Sequence, residues 1–174
     1  MEKYLDCFQI PQSPKSRVGH LSRGTLVKLN IAIALSHGAR LLVLDEATNG
    51  LDALVRDEVI DILMEFTRDE DHSVLISSHM IGDLEKICDY VAFLRKGELV
   101  MCEEKDRLLE RYCQVRTSAD QLSKIPAQYV LGKRENAFGA EAVIERVAAP
   151  AEIEAAPVTL EELFVMMEKE AEAS

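Results

Sequence analysis

An apolar run that ends in two adjacent carboxylates constrains the fold of this chain more than any other feature. The run Leu41–Asp45 (LLVLD) has four aliphatic residues in succession, and Glu46 follows it directly. Unbroken runs of this length are typical of strands that are covered on both faces, as in parallel sheets. Ligands of open α/β sheets bind beyond the carboxyl ends of such strands. The run therefore predicts a buried parallel strand that presents Asp45 and Glu46 at a ligand-binding edge.

The segments around this run alternate between helix and strand patterns. A helical repeat over about 23–37 has Ser22 as a candidate N-cap and Gly38 as a candidate C′ residue. A second amphipathic pattern follows the tetrapeptide NGLD, an apolar strand pattern covers SVLISS, and a helical pattern covers about 81–88. Two further strands are joined at Lys96-Gly97. This order predicts an α/β fold, a parallel sheet with flanking helices.

The composition changes near Tyr112, and we place a domain boundary there, between 1–112 and 113–174. In the second part the sequence predicts a strand around QYVLG, a short helix over 138–147 and an Ala/Pro/Glu-rich linker over 149–157. A terminal helix is expected from Thr159, because the residues TLEE fit a capping box. We therefore expect a small α+β appendage at the C-terminal end of the chain.

Charge and composition exclude several classes of partner. The formal net charge is -11, from 20 basic and 31 acidic residues, and only 5% of the 174 residues are aromatic. A nucleic-acid or anionic-membrane binder needs a basic face, and a single-strand binder also needs stacking aromatics. The four cysteines form no C-x-x-C pair, and no apolar stretch reaches the length of a membrane span. We expect a soluble cytosolic chain with reduced thiols that binds no nucleic acid and has no direct membrane insertion.

Asp45 and Glu46 have a functional and an ordinary structural explanation. In phosphoryl-transfer sites an acid at the end of a buried strand holds Mg²⁺, usually through water, and a neighbouring acid can orient or deprotonate an attacking water. Alternatively, Asp45 caps the next turn and Glu46 is merely solvated. For this short pattern alone, the two explanations are about evenly balanced.

Further polar groups are expected near the same sheet edge or at a helix start. His79 follows the second apolar strand, so a parallel sheet would bring it to the edge that carries Asp45 and Glu46. A neutral imidazole there could bind a terminal phosphate, although an isolated His is more often a surface residue. Ser22 and Gly24 could offer a hydroxyl and backbone N–H groups to a phosphate at a helix N-terminus, or they could form an ordinary cap.

In the order LSRGT, LLVLDEAT, NGLD, SSHM, the chain resembles the C-terminal part of the ATP-binding cassette subunit of an ABC transporter. LSRGT is similar to the signature motif, LLVLDE to the Walker B strand, NGLD to the D-loop, and His79 to the switch histidine. The resemblance covers about 4–112 and is greatest to cassettes of bacterial ABC-2-type exporters. It implies a partial P-loop NTPase (ABC ATPase) fold.

The resemblance also implies roles for individual residues, with ATP and Mg²⁺ as cofactors. Asp45 would support Mg²⁺, Glu46 would be the catalytic base and His79 would contact the γ-phosphate. Ser22 and Gly24 would contact ATP held by the opposite subunit, and Asp52 in the D-loop would couple the two sites. The implied partners are a second cassette subunit, which forms a dimer, and a membrane permease that holds the chain at the cytoplasmic face of the membrane.

The sequence departs from the family pattern in three places. Arg23 and Thr25 replace the usual Gly and Gln of the signature, and Ala47 stands where Pro is usual. The sequence also contains no G-x-x-x-x-G-K-[ST] phosphate loop, which would cradle the β- and γ-phosphates. We therefore expect the chain to hydrolyse ATP slowly or not at all by itself, as a fragment or truncated gene product.

The resemblance leaves two functions open. One is an ATPase subunit, or a truncated portion of one, that couples Mg-ATP hydrolysis to export. The alternative is a non-catalytic cassette remnant, an interaction module that offers its signature motif to a complete cassette. The sequence favours the first, because Glu46 and His79 are intact. Since a strand carrying a phosphate loop would lie beside the Walker B strand, we also expect an uncovered apolar edge and a marginally stable or self-associating chain.

Overall fold

The computed structural model describes residues 2–12, 17–136 and 139–173, with backbone only at 135–136 and 170–173. The chain divides into two compact units, Met1–Ile87 and Cys88–Ser174. The elements of the first unit are α1 (Glu2–Cys7), α2 (Arg23–Ser36), β1 (Leu41–Asp45), α3 (Ala53–Phe66), β2 (Ser73–Ser77) and α4 (Ile81–Ile87), with a 3₁₀ turn at Val18–His20. Residues 13–16, between α1 and this turn, lie outside the described residues.

The second unit contains two antiparallel sheets and three helices among the described residues. Its elements are β3 (Tyr90–Arg95), β4 (Glu98–Glu104), α5 (Lys105–Arg111), β5 (Tyr112–Thr117), α6 (Ala119–Leu122), β6 (Val130–Asn136), β7 (Gly139–Glu145), β8 (Ala155–Ala156) and α7 (Leu160–Ala173). The functional domain boundary between 1–112 and 113–174 stays a prediction.

Helix α2 begins and ends at the residues that the sequence indicates. The Ser22 Oγ accepts a hydrogen bond from Thr25 N at 3.1 Å, which satisfies one of the amides in the first turn. At the other end Gly38 has a φ of 68°, the left-handed conformation that glycine adopts without steric cost. The predicted helix and both of its terminal residues are confirmed.

Strands β1 and β2 form the predicted parallel pair, with Asp45 opposite Ser77 at the carboxyl end. Helices α2 and α3 cover one face of this pair, and Leu42 is among the residues buried there. The expectation that β1 is buried on both faces is wrong, because Val43 is 67% exposed and Leu75, its register partner, is 62% exposed. In the part of the chain that the structure describes, no helix covers that face, so the apolar side chains of alternate residues remain in contact with solvent.

The core of the first unit joins α1, α2, α3 and the covered face of β1 and β2. Its buried side chains are aliphatic apart from one phenylalanine, which follows α1. They are Phe8, Ile10, Ile31, Ala32, Leu35, Leu42, Leu51, Val59 and Leu63. This core packs the covered face of β1 and β2 against α2 and α3.

The hairpin of β3 and β4 is confirmed, with Lys96 and Gly97 at φ values of 49° and 84°. Two successive positive φ values are typical of the turns that match the twist of antiparallel strands. The other sheet has the order β6-β7-β5-β8, and its described pairs are all antiparallel. Its strands and helices agree with the α+β class predicted for the C-terminal appendage.

The short helix predicted over 138–147 is wrong, because Gly139–Glu145 is strand β7. This strand pairs with β5 on one side and with β6 on the other, and Val143 and Ile144 are fully buried. Central strands lack the polar alternation of half-exposed strands, so the local pattern does not separate them from a buried helix. The predicted linker over 149–157 contains β8, which pairs with β5. The predicted strand around QYVLG corresponds to β6.

The terminal helix α7 has the predicted capping box. Glu162 N donates to the Thr159 hydroxyl at 3.2 Å, and Thr159 N donates to the Glu162 carboxylate at 2.9 Å. The bond from Thr159 N to the carboxylate is the largest cause that lowers the pKa of Glu162. Among the described residues, no helix is both long enough and apolar enough to cross a membrane.

Candidate functional site

The carboxyl end of the parallel pair brings Asp45, Glu46 and Ser77 into one hydrogen-bonded group. The Ser77 hydroxyl donates to Asp45 Oδ1 at 2.5 Å and accepts from Glu46 N at 3.1 Å. Glu46 N also lies 3.1 Å from the Ser77 carbonyl oxygen. The parallel register causes this arrangement, because it pairs Asp45 with the last residue of β2. The sequence analysis did not single out Ser77, although its place at the end of the second strand is visible in the sequence.

Glu46 leaves the strand in an unusual backbone conformation. Its φ of 48° lies in the left-handed region, which residues with a Cβ adopt at a cost. The Oε2 atom of Glu46 is buried and accepts no hydrogen bond of standard geometry from the described residues. It lies 2.8 Å from His79 Nδ1. The His79 ring therefore lies beside a carboxylate oxygen that has no other hydrogen-bond partner among the described residues.

His79 reaches Glu46 from the turn between β2 and α4. The turn is fixed by a hydrogen bond from Met80 N to the Ser78 hydroxyl, at 3.0 Å. The His79 side chain is 62% exposed, so the ring is accessible to a ligand. A ring protonated at Nδ1 donates to Glu46, and the remaining nitrogen then either accepts or donates, according to the charge of the ring. The structure thus brings His79, which follows β2, into contact with Glu46, which follows β1.

Ser22, Gly24 and Asp52 have their contacts at the starts of α2 and α3. Asp52 caps α3 by accepting from Val55 N at 3.0 Å. A Cβ at Gly24 would lie 2.4 Å from a Val55 methyl carbon, so α2 and α3 approach too closely there for any side chain. Ser22 Oγ lies 2.8 Å from the Thr25 hydroxyl. The structure therefore gives each of the three residues a structural role, and their predicted nucleotide contacts stay predictions.

The signature-like segment lies against the segment NGLD within the first unit. A Cβ at Gly50 would lie 2.7 Å from a guanidinium nitrogen of Arg23, and Gly50 has a φ of 68°. Arg23 therefore packs over the turn that leads to Asp52. The sequence analysis treated Arg23 only as a departure from the family pattern, whereas here its side chain covers the loop backbone.

A second arginine connects the same loop with α4. The Arg56 Nη2 atom donates to the Leu51 carbonyl oxygen at 3.0 Å, and its Nε atom lies 3.5 Å from Asp83 Oδ2. The Asp83 side chain is buried, so this contact forms with little access of solvent. Neither residue could be identified from the sequence, because a polar residue on an amphipathic helix gives no local signal of its partner.

The donor set at the sheet edge fits Mg²⁺ that is carried by a nucleotide. No group of three or more His, Cys, Asp or Glu that could hold a metal occurs among the described side chains. Asp45 is exposed and offers a single carboxylate, oriented by Ser77. Mg²⁺ is commonly held by one or two carboxylates together with waters and substrate phosphates. When bound, the ion would offset the negative charge of the phosphates.

Comparison with known proteins gives homologues but no family model. A scan against protein-family models finds no match. The chain is 31% identical over 116 residues to the ABC transporter ATP-binding protein YtrB of Bacillus subtilis, a match that covers 67% of this chain and 39% of YtrB. It is 36% identical over 92 residues to the lantibiotic transport ATP-binding protein SrtF of Streptococcus pyogenes, which covers 53% of this chain and 40% of SrtF. The chain thus spans about two fifths of these relatives.

The fold agrees with these relatives. An inward-facing structure of a putative metal-chelate type ABC transporter aligns with a TM-score of 0.56 at 18% identity, covering 82% of this chain and 55% of that one. The likeness confirms the predicted fold class, that of an ABC ATPase domain. The homologues of this chain are ATP-binding proteins of ABC transporters, and the chain corresponds to a part of their length.

Proposed function

We propose that the chain is part of the ATP-binding and ATP-hydrolysing cassette subunit of an ABC transporter, which couples Mg-ATP hydrolysis to export. One observation carries the proposal: the His79 imidazole lies 2.8 Å from a buried oxygen of Glu46, at the strand end that also presents Asp45. Capping explains neither this contact nor the left-handed conformation of Glu46. The homology to ATP-binding proteins of ABC transporters supports the same assignment.

In this proposal the residues at the sheet edge divide the work of hydrolysis. Asp45, oriented by the Ser77 hydroxyl, supports Mg²⁺ through water. Glu46 accepts a proton from the water that attacks the γ-phosphorus, and the bond from that phosphorus to the ADP oxygen breaks. Because Oε2 faces His79, we assign the water to Oε1. The exposed nitrogen of His79 then contacts the γ-phosphate.

The remaining assignments concern the partners. Ser22 and Gly24 would contact ATP held by a second cassette subunit, and Asp52 would couple the two sites across the dimer. A membrane permease would hold the assembly at the cytoplasmic face of the membrane. The N-terminus of α2 suits a phosphate, because the positive end of the helix dipole and the Ser22 hydroxyl lie together there.

The first test measures nucleotide binding. A fluorescent ATP analogue is titrated into the purified chain with and without Mg²⁺. Because the 174 residues contain no phosphate loop, we expect weak binding. Micromolar binding that depends on Mg²⁺ would contradict the inference that the nucleotide site of the chain is incomplete.

The second test measures hydrolysis in an assembly with a polypeptide that supplies a phosphate loop. We expect Glu46→Gln to lower the rate by roughly 10²–10⁴-fold, the usual contribution of a general base, and to leave ATP binding unchanged. Glu65→Gln is the matched control, since Glu65 lies at the far end of α3 and pairs with Arg68. Equal loss of binding and hydrolysis in Glu46→Gln would show that Glu46 is not the base.

The same assembly separates the alternative function. An interaction module that only offers its signature motif would stimulate ATP hydrolysis by a complete cassette. That stimulation would require Ser22 and would be insensitive to Glu46→Gln. Such a pattern would replace the catalytic proposal with the non-catalytic one.

A further inference from the structure

The first unit contains a cleft of about 630 Å³ that includes none of the residues assigned to ATP. It lies between α1, the C-terminal ends of α2 and α3, and the turn before β2. We call it the α1 cleft, and its apolar wall is formed by Tyr4, Phe8, Leu35, Ile62 and Phe66 together with His72. Its volume falls in the range of small-molecule sites, about 300–1,000 Å³.

The wall of the α1 cleft is rich in aromatic rings. The rings of Tyr4 and Phe8 lie 6.1 Å apart and are tilted by 44°. Those of Phe66 and His72 are stacked, at 4.3 Å and 8°. The chain as a whole is only 5% aromatic, so this concentration of rings is local. Aromatic faces attract apolar groups and also cations.

The rim of the α1 cleft is acidic. Asp61, Glu65 and Asp69 line it, whereas Lys3 and His72 are the basic side chains among the described lining residues. The Glu65 carboxylate pairs with Arg68 at 2.6 Å, and Asp69 Oδ2 lies 3.9 Å from His72 Nδ1, but the Asp61 carboxylate forms no ion pair or hydrogen bond with another described side chain. An exposed carboxylate that has no ion-pair partner among the described residues, and that lies beside an apolar wall, is suited to a ligand that carries one positive charge.

The helix ends add to the negative potential of the cleft. Leu35 and Gly38 place the C-terminal end of α2 at the cleft, and Phe66 places that of α3 there. Neither helix has a basic residue in its last turn that would neutralise the negative end of the helix dipole. The backbone and the side chains therefore both favour a ligand with a positive charge.

We propose that the α1 cleft binds a lipophilic organic cation, with its apolar body against the aromatic wall and its charge beside Asp61. The site does not rest on the proposed ATPase function, since it shares no residue with the sheet edge. A neutral apolar molecule would leave the Asp61 carboxylate unused, and an anion would meet the acidic rim. Charge therefore decides which apolar molecules bind.

The test uses two probes that share a shape and differ in charge. Tetraphenylphosphonium and tetraphenylborate are titrated separately into the purified chain by isothermal calorimetry. We expect the cation to bind at least about tenfold more tightly than the anion. A tenfold difference in affinity corresponds to about 1.4 kcal/mol of binding free energy, which a cation beside an aromatic face and a carboxylate gains. Equal affinity for the two probes, or no binding of the cation, would overturn the proposal.

Two further measurements locate the bound cation. Asp61→Asn should weaken the phosphonium about threefold or more, whereas Glu70→Gln, an exposed acid outside the lining, should leave its affinity unchanged. Bound phosphonium should also slow alkylation of Cys7, which lines the cleft, without slowing that of exposed Cys102 in the other unit. An affinity that falls equally in both variants, or protection of both cysteines, would place the cation elsewhere and refute the site. Circular dichroism checks that the variants remain folded.

Discussion

Gly24 offers a direct measurement of how tightly α2 packs on α3. A Cβ there would lie 2.4 Å from a methyl carbon of Val55, whereas carbon atoms in contact are normally separated by about 3.5–4.0 Å. In Gly24→Ala the two helices, or the Val55 side chain, must therefore move by about 1 Å or more. Val55 is β-branched, and its single favoured rotamer in a helix gives it little freedom to move.

The expected energy follows from two opposing effects. Overpacking of this kind costs about 1–3 kcal/mol. Replacement of glycine by alanine in a helix returns up to about 1 kcal/mol. Gly82 is a matched control, because it is also the second residue of its helix and a Cβ there would meet nothing within 4 Å. The propensity effect cancels between the two variants, so we expect Gly24→Ala to be less stable than Gly82→Ala by about 1–3 kcal/mol.

The assay is urea unfolding followed by circular dichroism, with a double-mutant cycle. In Gly24→Ala/Val55→Ala the clash is removed, so the double variant should be more stable than the sum of the single effects predicts, by at least about 0.5 kcal/mol. A Gly24→Ala variant as stable as Gly82→Ala would refute the packing argument. Gly24 would then be explained only by its predicted nucleotide contact.

Three other predictions concern stability, thiol reactivity and pH. Ser77→Ala should lower the free energy of unfolding by about 1–2 kcal/mol, because the Ser77 hydroxyl bonds both to the Asp45 carboxylate and to Glu46 N. Ser73→Ala removes no such bond and should change the free energy of unfolding by less than about 0.5 kcal/mol. Burial raises the pKa of the Cys113 thiol, so a disulfide reagent should react with it at least about 100-fold more slowly than with exposed Cys102. The lowered pKa of Glu162 stabilises the fold above the ordinary carboxyl pKa of 4.5, and this contribution should disappear as the pH falls through the lower pKa of the folded state.

Each of these predictions has a measurement that can contradict it. Equal effects of the two serine substitutions in urea unfolding would show that the hydroxyl bridge contributes nothing. Rapid labelling of Cys113 in the native protein, followed by mass spectrometry, would contradict its burial. For the pH prediction, the difference in unfolding free energy between the wild type and Glu162→Gln is measured from pH 7 to pH 3. A difference that does not shrink towards acid pH would contradict the sign of the shift.

The local signals of the sequence determined the ends of helices and the position of turns. Ser22, Gly38 and the TLEE box were predicted from the sequence and are found where expected, because a cap or a turn satisfies backbone groups within a few residues. The sequence also predicted that His79 and Glu46 share one sheet edge. That prediction needed only two strands and the parallel register, and the two side chains lie 2.8 Å apart.

Only the tertiary structure decided which faces are covered and which side chains meet across elements. The segment over 139–145 is a strand because β5 and β6 bond to both of its edges, and no local pattern contains that information. For the same reason the sequence did not indicate the exposure of Val43, the hydroxyl bridge of Ser77 or the close approach of Gly24 to Val55. Each depends on residues that are distant in the chain, and their contacts arise only when the elements pack.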